Sequence, residues 1–155
     1  MRELIGKLFG MLLLTVAAFG QSDDGKRFAG AWDVVVTPRV CATGAPITTF
    51  QSSYNFDRGG TLSGLSSGTG SGGRGREQLG VWKHVSGNHY RFRIKAYPVN
   101  SAGGISIYQI VTHDAVLDDD SLSWSSTGDS RSYTLDGVQI AVGCSTITAV
   151  RVPEP

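Results

Sequence analysis

The sequence predicts an all-β fold: a closed, eight-stranded, antiparallel up-and-down barrel with little or no helix. Three observations predict it. Inward and outward residues alternate with a period of two along most of the chain after residue 30, as strands with one buried and one wet face require. The connections between those segments alternate between tight and long. The first and last segments can be paired in nearly one register, which closes the sheet and removes its edges.

At 155 residues the chain holds one domain and one core. Beyond residue 20 the only lysines are Lys26, Lys83 and Lys95, and the only glutamates are Glu77 and Glu154. Good helix formers are therefore scarce. Charge is balanced, with 14 Lys+Arg against 13 Asp+Glu. No broad field exists to hold nucleic acid or an acidic membrane.

Residues 1–20 read as a secretory signal peptide. Arg2 and Lys7 precede the apolar run Leu8 to Phe19, and Ala18 and Gly20 place small residues before a cleavage point at Gln21. The run is short for a bilayer span, and no stable membrane insertion is expected after cleavage. Residues 21–29 read as a flexible leader and 30–155 as the barrel domain.

The strands follow in order. Trp32–Thr37 places Trp32, Val34 and Val36 on one face. Thr48–Phe56 alternates Phe50, Ser52, Tyr54 and Phe56 with polar residues, and Thr61–Leu65 follows a tight turn at Asp57-Arg58-Gly59-Gly60. Leu79–His84 and His89–Tyr97 form a hairpin. A three-residue loop, Val85-Ser86-Gly87, puts Trp82 and His84 inward with Tyr90 and Phe92. Ile105–Leu117, Ser121–Leu135 and Val138–Val152 complete the set, the last two joined by a two-residue Asp136-Gly137 turn that sets Leu135 opposite Val138. The long connections, Pro38–Ile47, Ser66–Glu77 and Pro98–Gly104, all fall at one end. A cup results, with a tight-turned floor and a loop-rimmed mouth.

Cys41 and Cys144 form an even pair in an exported chain, which reads as a disulfide. Trp32 opposite Arg151 needs residue numbers that sum to 183; Cys41 beside Cys144 needs 185. A bulge at Pro38 would reconcile the two.

Gly30-Ala31-Trp32 at the start of the first strand and Arg151 near the end of the last resemble the lipocalins and their calycin relatives. The resemblance implies that Trp32 sits at the barrel floor with Arg151 packed across it, and that Gly30, Trp32 and Arg151 are structural. The chain departs from that family in two respects. Asp57-Arg58-Gly59-Gly60 is not its second signature, and the residues after Val152 carry no helix.

No motif announces catalysis or a metal. His84 and His89 flank a turn and face different sides. His113 and Asp114 are adjacent and point to opposite faces of a strand. Asp118-Asp119-Asp120 lacks the glycine and glutamate of a calcium loop, and Gly68, Gly70 and Gly73 open no helix, so they cradle no phosphate. The aromatics carry more information. Small residues Ser52, Gly64 and Ala96 share their inward parity and leave room. An eight-stranded barrel is wide enough to hold one small ligand. The expected function is a secreted or periplasmic protein that binds a small, largely apolar molecule without cofactor or metal. Phe50, Tyr54, Trp82, Phe92 and Trp124 would line the pocket, and Gly72 to Arg76 would gate it, with Arg74 or Arg76 pairing an anionic group. A cofactor-independent cyclase or isomerase, which needs shape more than a triad, and a filled-core interaction protein are the alternatives.

Overall fold

In the computed structural model the described residues are 23–67, 76–100 and 102–155. The signal-peptide segment and residues 72–75 of the expected gate, Arg74 included, lie outside them. Eight strands form one closed antiparallel barrel in sequence order. They are β1 (Gly30–Arg39), β2 (Phe50–Phe56), β3 (Thr61–Ser66), β4 (Arg76–Ser86), β5 (His89–Ala96), β6 (Ile107–Leu117), β7 (Ser123–Thr134) and β8 (Gln139–Arg151). Alternation in the sequence becomes alternation in burial. In β5, Tyr90, Phe92, Ile94 and Ala96 are buried while His89, Arg91, Arg93 and Lys95 are exposed.

Closure runs from Trp32↔Arg151 to Arg39↔Cys144 in a single register. The bulge expected at Pro38 is absent: Pro38 pairs with Ser145 in line with its neighbours. The reason is directional. Even-numbered residues of β1 turn their backbone groups toward β2, and that pairing ends at Val36↔Phe50. The missing N–H of Pro38 therefore costs no ladder bond, and its carbonyl accepts from Ile47 N at 2.9 Å. Cys41, two residues past the last pair, lies in a turn beginning at Val40 and joins Cys144 with a Cα–Cα distance of 5.2 Å.

Two hairpins reach the expected inward faces by different turns. The β4–β5 turn has Gly87-Asn88 between Ser86 and His89, with the extra residue absorbed as a bulge between His84 and Ser86. The β7–β8 loop is Leu135-Asp136-Gly137, closed by Thr134 N donating to Val138 O, with a register shift at Ser132/Tyr133. Gly137, at φ +94°, takes the left-handed position that such a loop needs.

The larger correction is at the N-terminus. Part of the expected leader, Asp23–Phe28, is a helix, α1, and it plugs the floor. Phe28 is fully buried. Its ring stacks on Tyr90 at 4.3 Å and contacts Phe56 at 4.5 Å, Trp124 at 5.5 Å and Trp82 at 5.6 Å between centroids. Arg151 locks the plug. Its guanidinium lies 4.1 Å over the Trp32 ring and donates to Ala29 O, Arg27 O and Ser121 O. Gly30, at φ +128°, leaves the space this needs, since a Cβ there would stand 2.7 Å from Arg151 Nη1.

A candidate ligand cavity at the barrel mouth

Below mid-height the barrel is packed with large side chains. Trp32, Phe56, Trp82, Tyr90, Phe92, Leu117 and Trp124 are all buried around Phe28. Above them the interior opens into a cavity of about 300 Å³. Its walls are mostly apolar, supplied by Val36, Phe50, Ile94, Ala96, Val111 and Ile147, with Pro38, Ile47, Pro98 and Ile107 toward the mouth. Polar atoms enter from Tyr54, Ser66, Gln78, Gln109, His113, Ser130 and Ser145. Arg39 is the only charged residue among the described lining. Its Nε donates to Thr146 Oγ1 and its Nη1 to Gly44 O, both at 2.8 Å.

The five aromatics expected to line the pocket divide. Phe50 and Tyr54 contribute to the cavity wall. Trp82, Phe92 and Trp124 face inward as expected, but they sit in the floor core beneath the cavity, packed against Phe28, Phe56 and one another. Arg76 opens β4 opposite Ser66, at the mouth end. Tyr108 faces outward, stacked on Tyr133 at 5.1 Å beneath Lys95. His84 stands at the floor hairpin, 2.7 Å from Gly87 O.

Between core and cavity lies a polar bridge that the sequence reading missed. His113 on β6 is fully buried. One ring nitrogen, Nδ1, is 2.8 Å from Ser126 Oγ, and Nε2 is 2.9 Å from Ser145 Oγ. To reach Ser145 on β8 the imidazole crosses Gly128 of β7, which pairs with both His113 and Ser145. A Cβ on Gly128 would stand 2.5 Å from His113 Cδ2. Phe92 stacks on the ring at 5.3 Å. Burial lowers the His113 pKa to about 4, against the opposing pull of Asp129 and Asp114. The imidazole is thus neutral near pH 7, donating through one nitrogen and accepting through the other. Burial likewise raises the Tyr54 phenol to about 12, so it stays protonated. Polar residues at inward parity on otherwise apolar strand faces (Gln78, Gln109, His113) were the available signal.

A larger concavity, about 530 Å³, crosses the outer faces of β1 to β4, where Ser53, Asn55, Ser63, Leu65 and Leu79 contribute. It is open along its length and made mostly of outward-facing residues, so it strips little water from an occupant. Among the described residues no group of three His, Cys, Asp or Glu side chains is placed to hold a metal, and no helix is long and apolar enough to cross a membrane.

The fold and site define a class: a closed eight-stranded barrel with a packed floor and a partly open apolar hollow toward its loop end. No family model matches the sequence, and no curated protein is significantly similar to it. Solved structures are similar in fold. A redesigned beta barrel is 22% identical, with 84% of this chain and 96% of that chain covered and a TM-score of 0.53. EF1p2_mFAP2b bound to DFHBI is 17% identical, covering 83% and 97%, at a TM-score of 0.54. The redesigned barrel mFAP1, bound to DFHBI, is 20% identical, covering 84% and 100%, at 0.50. At these identities the likeness establishes the barrel architecture.

Proposed function

We propose that this protein is an exported, lipocalin-like carrier that holds one small, largely apolar molecule in the mouth cavity. The partly open apolar hollow carries the reading. Its volume, about 300 Å³, is roughly ten times the share of one water in the liquid and falls at the lower end of small-molecule pockets. The apolar walls supply binding through burial, and the long loops at that end supply access. The designed barrels of like fold that are bound to DFHBI support the idea that such an architecture suits a small ligand. The stacking of Arg151 on Trp32 supports the lipocalin-like assignment. Export is supported by the basic and apolar N-terminal segment and by the Cys41–Cys144 disulfide, which persists in non-reducing compartments. Arg74 and Arg76 remain proposed rim residues.

The filled-core alternative does not use the hollow. A cyclase or isomerase would use the same hollow by its shape, and turnover of a candidate polyene, rather than binding, distinguishes it from a carrier.

N-phenyl-1-naphthylamine, a neutral dye that brightens in apolar sites, tests the proposal. Saturable one-to-one binding is expected, and Ala96→Phe, which fills the cavity, should abolish it while leaving the fold intact. No saturable binding, or equal binding to Ala96→Phe, would overturn the proposal.

A further inference from the structure

The polar fittings of the cavity select among apolar ligands. Gln78 is at inward parity on β4 and forms part of the cavity wall. Its Oε1 is buried and has no hydrogen-bond partner. An orphaned buried amide atom is rare in a folded protein, because its lost hydration goes uncompensated. Its neighbours explain why no protein group reaches it. Across the ladders Gln78 pairs with Gly64 of β3 and Ala96 of β5. The Tyr54 ring lies over Gly64, 2.6 Å from where a Cβ would stand, and Ala96 offers only a methyl, so neither neighbour brings a hydrogen-bond donor to the oxygen. The side chain otherwise borders the cavity.

From this arrangement we infer that the ligand is uncharged and carries a hydroxyl, or a group with the same donor and acceptor capacity, which seats on the Gln78 amide while its apolar body fills the hollow. This rests on the proposed carrier function. A hydroxyl donates to the orphaned Oε1, which an ether or a hydrocarbon cannot do. Charge is disfavoured on both sides. No carboxylate occurs among the described lining residues to balance a cation, and Arg39, the one cationic residue there, already donates to Thr146 and Gly44. The His113 and Tyr54 side chains are neutral at the cavity wall.

Binding of 2-naphthol, 2-methoxynaphthalene and naphthalene to the full mature chain, measured by calorimetry, tests this. The wild type is expected to prefer 2-naphthol to its methyl ether by at least about tenfold, as sites with a buried hydrogen-bonding group do. In Gln78→Met, or in Gln78→Leu should the first variant not fold, the preference should vanish and naphthalene should bind more tightly than in the wild type. Equal wild-type affinity for all three probes would overturn the ligand class while leaving the carrier reading intact, as would a preference unchanged by the substitution. No saturable binding of any of the three, together with none of N-phenyl-1-naphthylamine, would defeat the carrier reading itself.

Discussion

At the residue scale, His113 couples the core to pH. Its imidazole is buried and neutral, with a pKa near 4 against an ordinary value of 6.5. Unfolding exposes the ring, so the unfolded chain binds more protons between pH 6.5 and 4. Stability from this group is fully present above about pH 6.5 and declines as pH falls toward 4, by up to about 3 kcal/mol. Urea denaturation at stepped pH should show that slope in the wild type, and His113→Gln should flatten it. An unchanged slope would mean that another group sets the acid sensitivity. The sequence put His113 on a strand but gave no hint of its partners. Ser126 and Ser145 lie 13 and 32 residues away and meet the ring only because Gly128 lets it cross a neighbouring strand.

At the element scale, the strands were legible and the floor plug was not. Each strand carries its period in the chemistry of adjacent residues, so β5 could be read from Tyr90 to Ala96 without a structure. The six residues of α1 are too few to show a helical period and too few to be stable alone. What holds them is Phe28, with Arg151 donating to Arg27 O, and one aromatic in a polar leader gives no pattern to read. Turns were legible in place but not in type. The β4–β5 and β7–β8 hairpins each absorb one residue as a bulge or a longer loop, choices set by sheet twist rather than by composition. If α1 is part of the fold, Phe28→Ala should cost about 3–5 kcal/mol in denaturant unfolding, as for any large buried aromatic. A loss below about 1 kcal/mol would show the segment to be an ornament on a barrel stable without it.

Over the whole molecule, closure and height along the barrel axis matter most. Closure was legible because Trp32, Arg151, Cys41 and Cys144 bound the same pair of strands. Height was not. Parity tells which side chains point inward, but not how far up the barrel they sit. Trp82, Phe92 and Trp124 therefore joined Phe50 and Tyr54 in one expected pocket, whereas the helix wedge gathers the first three into a solid floor. The Cys41–Cys144 bridge, spanning 103 residues, staples the mouth end of the seam where β1 and β8 part. Replacing both cysteines with serine should lower stability by about 4–5 kcal/mol in the chain-entropy picture, read as a shift of the urea midpoint. A negligible shift would show that the β1–β8 ladder holds the seam unaided.

A crystal structure of the protein grown with 2-naphthol tests the ligand-holding hollow most sharply. Density for one naphthol is expected among Phe50, Ile94 and Ile147, above His113, with its oxygen on Gln78. A mouth filled by side chains, or naphthol lodged only in the groove across the outer faces of β1 to β4, would contradict it.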